Sequence, residues 1–285
     1  MSEKILGVIG GSGLYSMKDL KVIEKIPVET PFGSPSDPLV LGELGGTKLA
    51  FLPRHGVGHR ITPSEINYRA NIYAMKKIGV ERIISVSAVG SMKEEIVPGH
   101  IVLPDQFVDR TYRRMGTFFS DGIVGHVSLA EPICMEGHGM VSTAADEAGA
   151  TVHKKGTYVC IEGPQFSTRA ESLVYRDWGV EVIGMTNVTE AKLAREAGLC
   201  YVTIALATDY DCWHLEEEPV TLEAVLEIMH NNVELAQKIL KHLVNQPILN
   251  RSCSCGDAAK TAIVTDRKLI PDKLKKDLEI LFGKL

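Results

Sequence analysis

Residues 199–206, LCYVTIAL, form an almost unbroken apolar run with β-branched residues interspersed. That is the pattern of a strand covered on both faces of a sheet. Shorter runs at Ile5–Ile9, Pro38–Leu44, Thr47–Pro53, Arg82–Ser87, Thr157–Ile161 and Glu181–Met185 predict further strands, with another strand and its exit in residues 98–109. Between them lie stretches with helix start and stop signals. Thr62-Pro63-Ser64-Glu65 combines a capping box with proline at the first helical position, and the helix it opens should reach Gly79. Thr168–Glu171 repeats the box for a helix stopping at Gly179, a residue suited to the left-handed C-terminal position. Helices are also expected over 134–148, from Asn187–Glu190 to Gly198, from a Thr221 cap to about Val244, and over Pro271–Phe282. Residues 110–128 read as a surface excursion or subunit contact, and 250–270 are mixed. Strands alternating with helices, without repeat or linker, predict a single α/β domain over 1–285 with a parallel or mixed sheet.

Composition narrows the function classes. The net charge is −5, and no basic stripe suggests nucleic acid or an anionic membrane as partner. No eighteen-residue apolar run and no leader-like start are present, so a cytoplasmic location is expected. Six cysteines are too few for a disulfide scaffold, and no spacing marks a zinc site. Cys253 and Cys255 form a C-x-C that reads as two incidental thiols, with a redox pair or an intracellular disulfide as the alternative.

The candidate chemistry sits where strands end. Residues 199–213 finish on Asp209 and Asp211, two apart in an extended segment and so able to face one pocket. Carboxyl ends of buried strands are where open α/β sheets place ligands. A turn cap is the plainer reading of these two carboxylates, and a calcium loop is disfavoured because its glycine and distal glutamate are missing. The glycine loop 10–13 resembles a dinucleotide loop, but the third glycine position is Ser16, which argues against an oxidoreductase and leaves a phosphate site open. Arg54-His55-Gly56 follows another strand, and arginine donates in pairs to phosphate or carboxylate. Ser12, Arg54 and Ser87 thus give three small or basic tips that could cradle one anion.

Taken together, GVIGGSGL, TPFG, PSD, PRHG, PSEINYRANIYA, SAVGS, DQFVDRT, EGPQFSTRAES, IGMTNVTEA and ATDYDCW, in this order over residues 5–230, resemble the trimeric purine nucleoside phosphorylases, and within them the branch acting on 5′-methylthio nucleosides. The resemblance implies a three-layer α/β sandwich around a mixed sheet closing into a partial barrel, and a homotrimer or dimer of trimers. It implies a phosphate cradle of Ser12, Arg54, His55, Ser87, Ala88 and Thr186. Met185 would lie along the ribose, Phe166 and Ser167 would line the purine pocket, and Asp209 and Asp211 would face the base. Leu222, Val225 and a neighbouring subunit's His126 would surround the 5′ substituent.

The implied chemistry is cleavage of a purine–ribose bond by inorganic phosphate, with no metal or organic cofactor. Positive charge develops on the sugar and negative charge on the departing base. Asp209 would protonate the base, kept protonated by burial and its neighbouring carboxylate, and Asp211 would fix the hydrogen bonds around the 6-amino group. Aspartate at 209 favours adenine, whereas asparagine would suit a 6-oxopurine. An apolar wall at Leu222 and Val225 favours methylthio over hydroxyl weakly, leaving adenosine as a secondary substrate. The rivals are a 6-oxopurine phosphorylase, a hydrolytic nucleosidase and a nucleotide-binding module on an inactive scaffold.

Overall fold

The computed structural model describes residues 4–214 and 222–285. The chain begins with β1 (Ile5–Gly10), β2 (Lys21–Ile26), β3 (Leu39–Leu44) and β4 (Thr47–Pro53), then α1 (Tyr68–Lys77) and the long β5 (Val80–Ser91). The middle holds β6 (Ile101–Val102), β7 (Gln106–Arg110), α2 (Met135–Glu147), β8 (Val152–His153), β9 (Thr157–Ile161) and α3 (Arg169–Asp177). It closes with β10 (Val182–Gly184), α4 (Asn187–Glu196), β11 (Cys200–Tyr210), α5 (Leu222–Val244) and α6 (Asp272–Phe282).

Alternation along the strands sorts the core into two layers. Leu49 and Phe51 of β4 join Leu6, Val8 and Ile84 against Val141 and Ala145 of α2 and Ile239 and Leu243 of α5. Ala50 and Leu52 point the other way, with Ile9 and Ile83, against Ile72 of α1, Ala194 of α4 and Leu278 of α6. Successive side chains of a strand face opposite sides, so one sheet carries helices on both faces. This is the expected three-layer sandwich. The eleven-stranded sheet runs β2, β3, β4, β1, β5, β10, β9, β7, with β11 also pairing β5 and leading through β6 to β8. It branches at β5 and is not closed.

The branch positions everything that follows. β11 accompanies β5 in parallel from Cys200 opposite Arg82 to Tyr210 opposite Ser91. On the other edge β5 pairs in parallel with β1 only as far as Ser85, and antiparallel with β10 only at Gly90 and Ser91. Residues 86–89 therefore face a fork between two diverging strands.

Three expectations are corrected. Only half of the Thr62–Glu65 box forms: Glu65 accepts from the Thr62 amide at 3.2 Å, but its own amide goes to the Thr62 carbonyl at 3.0 Å, closing an isolated turn. The helix starts later, at Tyr68, because the Asn67 side chain accepts from the Ala70 amide at 3.1 Å and caps it there. The small residues 88–91 continue β5 instead of ending it, because β11 and β10 supply ladder partners. Residues 110–128 are more than an excursion: Phe118 and Ile123 are buried, and Arg114 is sealed inside by an ion pair. The second capping box, at Thr168 and Glu171, forms as expected. The Thr221 cap lies outside the described residues. β2, unread in the sequence, is an exposed edge strand whose KVIEKI lacks a buried stripe.

Gly184 of β10 tests the packing. A Cβ there would sit 1.9 Å from the hydroxyl of Tyr158, whose ring is fully buried. Gly184→Ala is expected to cost about 1–3 kcal/mol through overpacking, read as a lowered thermal midpoint, and Tyr158→Phe in the same chain should recover part of it.

Candidate active site

The cationic side of the fork is built from β1, β4 and α4. A Cβ on Gly10 would lie 2.4 Å from the Leu14 side chain and 3.2 Å from the Val86 carbonyl, so only glycine lets the turn 12–16 fold back beside β5. Ser12 stands exposed at the start of that turn. The Arg54 amide donates to the Gly10 carbonyl at 2.9 Å, which fixes the β4 exit beside this turn.

The Arg54 side chain is 4% exposed and turns inward. Its Nη1 donates to the Val86 carbonyl at 3.0 Å, a group that the fork leaves without a strand partner. Its Nε and Nη2 grip both oxygens of Glu190, and Nη2 also donates to Ser85 Oγ at 2.6 Å. Glu190, read in sequence only as part of a helix start, is 1% exposed and further accepts from Ser85 Oγ at 2.9 Å and Tyr201 Oη at 2.7 Å. Asn187 Nδ2 joins Ser85, Tyr201 and Thr203 at 3.0–3.1 Å, and its Oδ1 accepts from Thr186 Oγ1 at 3.1 Å. Burial alone would lower the Arg54 pKa, but the Glu190 carboxylate outweighs it and holds the guanidinium above its ordinary range.

His55 follows, half-buried and stacked on His59 with ring centroids 4.2 Å apart. Burial, reinforced by the Arg54 cation, pushes its pKa down to about 4, so the ring is neutral near pH 7. Nδ1 lies 2.8 Å from the Ile61 carbonyl and must donate to it, which leaves Nε2 as an acceptor. Ser87 is buried in the fork, whereas Ala88 is exposed, one of two such positions along β5. Tyr158 Oη is buried beside Ser87 and Thr186, and burial keeps the phenol protonated.

The acidic side lies on the other edge of β5. A register shift between Ala207 and Asp209 inserts a bulge, a device that re-aims side chains near sites. Both aspartates flank Gly90: a Cβ there would sit 3.3 Å from Asp209 Oδ1 and 3.4 Å from Asp211 Cβ. Thr208 Oγ1 lies 2.6 Å from Asp209 Oδ2. Asp211 is buried, with its amide on the Ser91 carbonyl at 3.1 Å, where Trp213 Nε1 also donates at 2.8 Å.

Arg114 and Glu162 hold the third wall, and sequence reading missed both. Glu162 accepts from Ser64 Oγ, from the Tyr112 and Arg113 amides at 2.6 and 3.2 Å, and from Arg114 Nε at 3.2 Å. Burial alone would raise its pKa, but these donors reverse the shift and keep the carboxylate ionised. Arg114 also donates to the carbonyls of Ile161, Glu162 and Met185, tying the end of β9 to that of β10. A neighbouring acidic EGPQFS and an Arg-rich 110–114 were the available signals.

Of the remaining expected residues, Ser167 Oγ is buried without a partner, and Met185 lies over Gly163. Phe166 is 84% exposed, and His126 is exposed on a loop whose amide donates to Ala262 at 2.9 Å. The described part of one chain therefore encloses neither. Leu222 and Val225 open α5 three residues apart, but their side chains lie outside the described residues.

The fold is that of a known class. The model of the phosphorylase superfamily matches residues 5–245, and the chain belongs to that family. It is 57% identical to the S-methyl-5′-thioadenosine phosphorylase of Geobacter sulfurreducens, over 99% of each chain. The enzyme of that name from Koribacter versatilis is 54% identical, covering 98% of this chain and 96% of its own. A methylthioadenosine phosphorylase crystal structure from an antarctic soil metagenomic library superposes with a TM-score of 0.95 at 47% identity, covering 99% of this chain and 100% of that one. The Schistosoma mansoni enzyme in complex with adenine gives 0.82 at 39% identity, over 89% of this chain and 95% of its own.

Two outcomes test the site's electrostatics. Glu190→Gln leaves the buried Arg54 cation without its counter-charge, and about 3–5 kcal/mol of stability should be lost, measured by thermal or urea unfolding. His55 is neutral when folded and regains its ordinary value near 6.5 when unfolded. Between pH 6.5 and 4 the unfolded chain then binds the extra proton, so stability falls as pH drops through that window. At pH 5 the loss from this group should be roughly 1 kcal/mol after discounting its partial exposure, and His55→Gln should flatten that part of the melting-temperature profile.

Proposed function

We infer that this chain catalyses phosphorolysis of 5′-methylthioadenosine, giving adenine and 5-methylthioribose 1-phosphate, a step that salvages the purine and the methylthio carbon skeleton. The observation that carries the reading is the pair Asp209 and Asp211 flanking Gly90 on one edge of β5, across the strand from the Arg54 fork. Full-length relatives of more than half identity carry that enzyme's name.

In this reading phosphate sits at the fork, held by Ser12, Ser87, the exposed Ala88 peptide, Thr186 and His55. Because the paired donors of Arg54 go to Glu190, its charge acts on phosphate from beneath the tips through the Nη1 side. The neutral His55 offers Nε2 to a phosphate hydroxyl. Phosphate steadies the positive charge growing on the sugar and then bonds to C1′ as the glycosidic bond breaks, its electron pair leaving with the base. Asp209 delivers a proton to N7 of that base, and Asp211 orients the 6-amino edge. Ser167 supplies its unpartnered hydroxyl to the purine side, with Phe166 and Met185 against base and ribose.

Leu222, Val225 and His126 of a neighbouring subunit complete the 5′ end, which is why the proposal includes a homotrimer or a dimer of trimers in the cytoplasm. No helix among the described residues is long and apolar enough to cross a membrane. The reaction uses neither a metal nor an organic cofactor, and adenosine is a weaker substrate.

Free-base release from methylthioadenosine and from inosine, each with and without phosphate, tests the proposal. Phosphate-dependent adenine release with inosine nearly inert is expected; release without phosphate would instead mean a nucleosidase. Asp209→Asn should lower kcat/KM for methylthioadenosine by about 10²–10⁴-fold while shifting relative preference towards inosine.

A further inference from the structure

We propose that Cys134, Cys200, Cys253 and Cys255 form a tetrathiolate site for a divalent cation of the zinc class, built at the end of β11 remote from the carboxylates. Their Sγ atoms all lie within 4.8 Å of one another, the one cluster of this kind among the described residues. Cys134 to Cys253 is 3.7 Å and Cys200 to Cys253 is 3.3 Å. A tetrahedral site with zinc–sulfur bonds of about 2.3 Å has sulfur–sulfur edges of about 3.8 Å, so modest adjustment brings these thiols to that geometry. All four are free cysteines, and three are buried.

The surroundings match the charge of such a site. A divalent cation with four thiolates carries two excess negative charges, and two arginines face the cluster. Arg82 of β5 is 2% exposed, and its Nε and Nη1 have no hydrogen-bond partner. Its Nη2 is held by Glu136, and its charge acts on Cys200 and Cys134. A buried guanidinium edge facing neutral thiols carries an unrelieved desolvation cost, which anionic sulfur removes. Arg195 Nη1 lies 3.7 Å from Cys255 Sγ.

Cys134 sits at the N-cap of α2, where Gly137 N donates to its sulfur at 3.5 Å, a placement that favours the thiolate a bound cation requires. A bound cation displaces the protons of the thiols, forming four metal–sulfur bonds with no electron transferred.

The site would fasten the C-terminal segment to α2 and β11. That segment continues to Ala262, Ile263 and Val264, which pair with the loop carrying His126. Along β11 the cluster is roughly 30 Å from Asp209, so the cation serves structure and takes no part in phosphorolysis.

The test is metal analysis of the full-length chain, expressed with added zinc and purified under reducing conditions without chelator. About one zinc per chain is expected to survive desalting, and cobalt exchanged for it should give the intense visible bands of a tetrahedral thiolate site. Stripping the zinc should lower the thermal midpoint, and Zn²⁺ but not Mg²⁺ should restore it. Cys253→Ser with Cys255→Ser should drop occupancy to below about a tenth while kcat/KM is retained. Four freely reactive thiols with no bound zinc or cobalt would overturn the proposal, as would a metal-free chain whose intact mass shows two disulfides.

Discussion

Arg54 and Glu190 meet in the interior beneath the strand tips, each almost wholly removed from water. Burying two charges costs several kcal/mol per ion, and the cost is offset only when geometry is close and remaining lone pairs are filled. Both conditions hold. The pair is bidentate, and Ser85, Tyr201 and the Val86 carbonyl take up the remaining bonding capacity. One member directly follows β4, the other lies in α4, and their partners come from β5 and β11. Four elements are therefore held in register at the edge where the proposed phosphate lies. Losing one partner would disturb the alignment of the cradle and the stability of the core together.

That alignment matters because of how β5 changes company. A regular ladder would give every peptide group of residues 86–89 a strand partner, leaving none for a ligand. Divergence of β1 and β10 frees this stretch, and Arg54 claims its first carbonyl. Small residues, Ser87, Ala88 and Gly90, let anion and carboxylates approach the backbone from its two edges. Cationic and acidic halves of the proposed reaction are thus separated by one strand, which keeps phosphate from taking the proton that the carboxyl group must deliver to the base.

Sequence made most strands, most helices and both carboxylates legible, because each announces itself locally. Apolar runs mark buried strands, capping boxes mark turns of helix, and polar residues directly after such runs mark strand tips. What it hid depends on tertiary pairing. The Thr62 box looked like a helix start, yet Asn67 competes for the cap five residues later. Glu190 looked like part of a helix start because the Arg54 that claims it lies 136 residues away. Arg114 sat in a stretch whose charge suggested solvent, and its buried role depends on three carbonyls and Glu162. The Cys253/Cys255 pair, read as incidental, meets Cys134 and Cys200 only through folding, with no local spacing to signal it.

The long central strand β11 joins these two kinds of information. At its first residue the chain is fully buried among thiols and aliphatic side chains, and its burial continues without a break to Thr208. There the bulge interrupts the ladder, burial relaxes, and the residues become acidic. Rigid packing at one end holds the strand against movement along its axis, so the position of Asp209 is set by the core together with its ladder to Gly90. A proton donor must be placed to within a fraction of an ångström, yet its setting has to stay open enough to admit a base. Anchoring the strand far from the site and irregularity close to it meet both demands with the same segment, which is why function is written where the hydrophobic pattern stops.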